Sequence, residues 1–174
     1  MPYEFTLHRE SLKRKFAVYV VVARSTQNTK VYVGKTGDNN DGCNPLISRC
    51  GNHFSYNDVH SQVRNKLDDH ETREYTYLFD HFDDYHPNKD DRRICVDRIN
   101  EMERWLNQEV HAALSTRKDV VFLNRYHGRG YVSAAEKAKR AAFRTPECEN
   151  KIKALVAAVV AKLPNPSSRG APKG

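Results

Sequence analysis

Apolar positions along this chain come in short continuous runs early and in helical stripes late. Phe16 to Ala23 is an almost unbroken apolar run rich in β-branched residues, and it predicts a strand buried on both faces. Ser25 to Lys30 is turn-forming, and Val31-Tyr32-Val33-Gly34 predicts a second strand, so residues 16–34 read as a hairpin. Gly37 to Pro45 carries loop chemistry. Pro45 opens a short predicted helix, on which Arg49 and His53 share a face at spacing four. Val59, Val63 and Leu67 predict a second helix by the same spacing, and Tyr75 to Phe79 predicts a third strand.

Asp80 to Arg93 is crowded with acids and reads as a loop. From Ile94 to about Thr116 the pattern is helical, with Ile99, Met102, Leu106, Val110 and Ala113 near one stripe and Glu103 and Glu109 flanking it on opposite sides. Val120 to Leu123 is a short apolar run ending at Asn124. Ser133 with Glu136 forms a capping box that opens a basic helix. Thr145-Pro146 opens the last helix, whose Ile152, Leu155, Val156, Val159 and Leu163 face a core or a partner. Packing on its own domain is favoured over a dimer surface. Pro164 ends that helix, and residues 165–174 have the composition of a disordered tail.

Composition sharpens the class. The chain has 174 residues, 39% hydrophobic and 29% charged, which suits one globular domain with a small appendage. No stretch approaches the roughly 20 apolar residues of a membrane span, and the charged N-terminus does not read as a secretory signal. A net charge of +7 suits a polyanionic partner, nucleic acid first. The four cysteines, Cys43, Cys50, Cys95 and Cys148, form no CxxC pair and suggest no disulfide framework, so a reduced, intracellular (cytoplasmic) protein is expected. Cys43, Cys50 and His53 match no familiar zinc spacing and lack a fourth ligand. Gly34-Lys35-Thr36 resembles the end of a phosphate loop, but Thr29 stands where that motif requires glycine, which argues against nucleotide hydrolysis.

The candidate chemistry lies in the order of a few polar residues. Phosphodiester hydrolysis needs an activated water, charge stabilisation on the phosphoryl oxygens and help for the leaving oxygen. Tyrosine beside lysine or histidine can relay a proton, the arginine fork matches two phosphate oxygens, and a carboxylate can hold magnesium. Each residue alone has an ordinary structural role: a strand tyrosine packs, a surface arginine is solvated, a helical glutamate pairs with a neighbour such as Arg98 or Arg104. Their co-occurrence carries the reading.

Ala17-Val18-Tyr19, then Tyr32-Val33-Gly34-Lys35-Thr36, then Arg49 with His53-Phe54, a helical glutamate and Asn124 resemble the GIY-YIG nuclease superfamily over about residues 16–124. Ala17 stands in place of the first glycine of the family name, and the loop from Gly34 to Arg49 is longer than in minimal members. The resemblance implies an α/β fold: a small, mostly antiparallel three-stranded sheet flanked by helices, here with a C-terminal helical extension. It implies a nuclease domain over 16–130, after an N-terminal segment 1–15 and before the extension 131–163 and the tail 164–174. It implies a metal-dependent DNA endonuclease, a hydrolase, using Mg2+ or Mn2+; RNA is left open as the substrate.

Residue by residue, the resemblance implies Tyr19 as base or relay with Tyr32 orienting, Arg49 on the scissile phosphate, His53 in proton transfer or phosphate binding, and Lys35 lowering a tyrosine pKa or binding phosphate. Glu103 matches the metal ligand, with Glu109 as the alternative. Gly34 and Asn124 match structural positions. Lys137, Lys139, Arg140 and Arg144 are separate candidates for tracking a nucleic-acid backbone. A catalytically inactive nucleic-acid-binding module on the same scaffold is the rival function. A single site cuts one strand, so double-strand cutting would need a dimer or rebinding.

Overall fold

A computed structural model describes residues 2–37, 43–124 and 132–164. Its element order gives strands β1 (Lys15–Arg24), β2 (Thr29–Lys35), β3 (Glu74–Asp84) and β4 (Val120–Phe122). The helices are α1 (Leu46–Phe54), α2 (Lys89–Ala113), α3 (Ala134–Phe143) and α4 (Pro146–Lys162). The fold is α/β, but the sheet has four strands, in the order β3-β1-β2-β4, rather than three. β1 pairs antiparallel with β2 and with β3, while β4 adds a parallel edge at Thr29 to Val31. Val120–Phe122 has strand-forming residues but is too short to define a strand alone, and its pairing with β2 makes it one.

The apolar run predicted as a doubly buried strand is the centre of the sheet. Phe16, Val18, Val20 and Val22 join Val31 and Val33 in a core with α2 and α4, while Tyr19, Val21 and Ala23 enter a second core with Leu46 of α1. Period-two alternation on one strand therefore serves two layers. On α2, Ile99, Met102, Leu106 and Val110 are buried as the stripe predicts, but Ala113 is exposed and Leu114 takes its place. Ile152, Leu155, Val159 and Leu163 of α4 lie in the same core as the sheet, so this helix packs within the fold. The tail 165–174 and residues 125–131 lie outside the described residues.

Two expectations are corrected. Val59 to Leu67 is not an α-helix but a series of turns with a short 3-10 piece at Arg64–Lys66, and a second 3-10 piece follows at His70–Thr72. Asn57 Oδ1 accepts the backbone N–H groups of Val59 and His60, and Asn65 Nδ2 donates to the carbonyls of Asn57 and Asp58. Such side-chain bonds compete with the helix ladder. Val63 and Leu67 are still buried, while Val59 is exposed.

The acidic stretch from Asp80 is likewise not a loop. β3 runs to Asp84, where Lys15 Nζ meets Asp84 at 2.7 Å, and α2 begins at Lys89 behind an Asn88 cap that accepts from Asp90 N and Asp91 N. Asp90 and Asp91 sit where the helix N-terminus favours negative charge. The acids counted as loop signal are thus a strand end and a helix cap.

Candidate active site

Strand register brings the site together. Tyr19 of β1 stands opposite Gly34 of β2 on one side and Phe79 of β3 on the other. Its ring lies flat across Gly34, where an added Cβ would be 2.5 Å from the Tyr19 hydroxyl oxygen. Glycine here makes room for a tyrosine that is only 2% exposed. The hydroxyl reaches His53 Nε2 at 3.0 Å, across from α1.

His53 is 3% exposed and its other ring nitrogen, Nδ1, is 2.8 Å from the Tyr77 hydroxyl. A neutral imidazole has one donor nitrogen and one acceptor nitrogen, so one tyrosine donates to the ring and the other accepts from it. The three rings also pack, His53 stacking on Tyr77 at 5.8 Å between centroids and tilting against Tyr19 at 5.5 Å. Tyr32 completes the cluster edge-to-face against His53 at 5.4 Å.

Burial first, then the positive charges of Arg49 and Lys66, push the His53 pKa down to about 4, so the ring is neutral at neutral pH. Burial also holds the Tyr77 hydroxyl far above its ordinary range, assisted by Cys50 and Tyr19. The Cys50 side chain is hydrogen-bonded to Tyr77, and burial pushes its thiol up to about 11. The result is a chain of neutral groups, Tyr19–His53–Tyr77–Cys50, with two cations beside it.

Tyr77 and Lys66 are the residues that sequence reasoning missed. The alternation of Tyr75, Tyr77 and Phe79 on one strand face was a usable signal for Tyr77. Lys66 has none: it lies in the irregular segment, places Nζ 5.3 Å from the centre of the Tyr32 ring, and its pKa is lowered by partial burial. No described carboxylate forms an ion pair with it.

Lys35 follows Gly34, so strand alternation turns it toward α2, away from the tyrosine side. There Lys35 Nζ meets the Glu103 carboxylate at 3.0 Å. Consecutive residues of one strand thus carry the tyrosine–histidine cluster on one side and the lysine–glutamate pair on the other. Glu109 accepts from Trp105 Nε1 at 3.1 Å and lines a groove with Ile152 and Val156 of α4, on a different side of α2. Asn124 clamps the edge of β2: Oδ1 accepts from Val33 N at 2.9 Å and Nδ2 donates to the Val33 carbonyl. Thr36 does backbone work too, its hydroxyl accepting from Ala17 N at 2.8 Å and donating to the Lys15 carbonyl at 3.0 Å.

The basic helix α3 is largely tied down. Lys139 pairs with Asp97 at 2.7 Å, Arg140 with Glu136 at 2.6 Å, and Arg144 with Glu101 at 2.6 Å. Glu101 is 1% exposed and also takes Arg104, so Arg144 is part of a buried ionic latch between α2 and α3. Lys137 is exposed.

Among the described residues, no group of three or more His, Cys, Asp or Glu side chains is arranged to hold a metal ion, and all four cysteines are free thiols. Cys43 belongs to the α2 core while Cys50 and His53 lie on the α1 side. Glu103 supplies one carboxylate, already neutralised by an ammonium group, which does not make a preformed divalent-cation site. No described helix is long and apolar enough to cross a membrane. No protein-family model, no curated protein and no solved structure matches this chain.

Proposed function

We propose that this protein hydrolyses phosphodiester bonds in nucleic acid, DNA first, as the resemblance to GIY-YIG nucleases implies. The observation that carries the reading is the Tyr19 hydroxyl bonded to a buried, neutral His53 that is itself bonded to Tyr77. A core tyrosine needs one partner for its hydroxyl. A hydrogen-bonded series with cations beside it is the equipment for moving a proton near an anion.

The productive arrangement has Tyr19 donating to His53 Nε2, His53 Nδ1–H donating to Tyr77, and Tyr77 donating to Cys50. The Tyr19 oxygen then offers a lone pair to an attacking water. As the water oxygen bonds to phosphorus, its O–H bond breaks and the proton passes to the Tyr19 oxygen while the proton of Tyr19 passes to Nε2. The bond from phosphorus to the leaving oxygen breaks, and that oxygen takes a proton from solvent. Arg49 and Lys66 stabilise the phosphoryl charge. A phosphate beside them also offsets their depression of His53, so substrate binding makes the ring a better base. Tyr32 positions Lys66 and walls His53.

The metal requirement implied by the resemblance rests on Glu103. A magnesium ion there would have to displace Lys35 and complete its shell with water and substrate oxygens, so no step is derived through it. On this reading the nucleic acid runs past Arg49 and Lys66, the two cations whose charge acts on His53. Incubation with supercoiled DNA tests the reading: nicking by the wild type that Tyr19→Phe loses supports it, and salt-sensitive binding with no cleavage favours the inactive binding module.

A further inference from the structure

One cavity lies beside the proton chain and shares Tyr77 and Cys50 with it. It is a groove of about 720 Å3 between α1, β3 and the N-terminal segment, walled by Leu46, Phe54, Tyr75, Tyr77, Phe79 and Phe5. We propose that this groove takes unpaired nucleobases of the substrate strand, so that the preferred substrate is a nucleic acid with a single-stranded stretch beside the bond to be cut. The inference rests on the phosphodiesterase reading and names the substrate class of that same site.

Three observations carry it. First, Tyr75, Tyr77 and Phe79 are alternate residues of β3 and present a ladder of rings on one face, with Phe54 of α1 edge-on to Tyr75 at 4.6 Å and His8 edge-on to Phe79 at 6.4 Å. Aromatic rungs along an exposed groove are a stacking platform, and stacking accepts any base because every base has a π-face. Second, the polar groups of the ladder are committed elsewhere. The Tyr75 hydroxyl donates to the His70 carbonyl at 2.7 Å and the Tyr77 hydroxyl is held by His53. The groove therefore offers ring faces and few hydrogen-bonding groups, which favours sequence-tolerant stacking over readout of base edges.

Third, the groove adjoins the site through Tyr77, and positive charge lies on the far side of that ring. Tyr77 both lines the groove and bonds His53. Two strand spacings, roughly 10 Å, separate β3 from β2, which carries Tyr32 with Lys66 over its ring. A short piece of nucleic-acid backbone spans that distance, with its phosphates toward Arg49 and Lys66 and its bases toward the rings. An uncharged ligand would gain nothing from the positive charge that Arg49 and Lys66 set beside His53. A paired duplex hides the base faces that the ladder would contact.

The test is binding of full-length protein to labelled oligonucleotides of equal length, fully paired, fully single-stranded and gapped, by fluorescence anisotropy at fixed salt in EDTA. The wild type is expected to bind the single-stranded and gapped probes on the order of tenfold more tightly than the duplex. Phe79→Leu and Phe54→Leu keep an apolar side chain, remove a ring face and leave the hydrogen-bonding groups of the proton chain in place. They are expected to lose that preference while duplex affinity and melting temperature stay near wild type. Equal affinity for paired and unpaired probes, or a preference that survives both substitutions, overturns the proposal. Cleavage is scored separately: a preference without cleavage sinks hydrolysis and keeps the groove, and cleavage of fully paired DNA without a preference does the reverse.

Discussion

The Tyr19 hydroxyl and His53 Nε2 lie 3.0 Å apart, both almost fully buried, one on the central strand and one on the helix that covers it. Gly34 makes this contact possible, because the Tyr19 ring occupies the space of a missing side chain. Gly34→Ala is therefore expected to drive a methyl group into the ring and to cost about 1–3 kcal/mol, the usual range for overpacking. Urea denaturation measures the loss, and activity should fall with it because the ring can no longer meet His53.

Stability should depend on pH through His53. Its folded pKa, about 4, lies below the unfolded value near 6.5. Between these values the unfolded chain binds the proton and the folded chain does not, so stability is full above about pH 6.5 and falls as pH drops toward 4. The shift amounts to about 3 kcal/mol in all. His81 and His111 are lowered in the same direction and add to the wild-type slope. Denaturation midpoints of His53→Gln should run flatter than wild type across this window, and the difference isolates His53.

Removing one of the two nearby cations should raise the His53 pKa. Lys66→Met is expected to do so in an NMR titration of the ring, and to reduce the salt dependence of nucleic-acid binding by about one in log–log slope if Lys66 meets a phosphate. An unchanged slope would take Lys66 out of the interface.

Millimolar Mg2+ should leave the melting temperature of the free protein unchanged, because Glu103 is engaged by Lys35 and no described cluster forms a cation site. A rise in melting temperature with Mg2+ alone, lost in Glu103→Ala, would show a preformed site that the Lys35 pair conceals.

Much of the fold was legible because the local signals were consistent. The β-branched run of β1, the caps at Ser133 and Thr145 and the stripe of α2 each point to one structure, and each forms. The fourth strand was not legible, because three residues become a strand only by pairing with β2. The acids of residues 80–91 misled because charge density was read as loop, whereas Asp83 and Asp84 are paired by Arg98 and Lys15 and Asp90 and Asp91 complement a helix end. Within the candidate site, spacing could bring Arg49 and His53 to one helix face, but only strand register brings Tyr19 and Tyr77 to opposite sides of the His53 ring. Lys66 reaches Tyr32 from a segment whose path is set by asparagine side chains, which no periodicity reveals.

The most direct measurement is nicking of supercoiled DNA in Mg2+ by wild type, Tyr19→Phe and His53→Gln, each verified as folded. Tyr19→Phe keeps the ring over Gly34 and removes only the oxygen that joins it to His53. The expected result is nicking by wild type and a loss of at least about a hundredfold in both variants, the scale of a lost proton-transfer group. Equal nicking by all three proteins, or binding with no cleavage by any of them, would contradict the proposed chemistry.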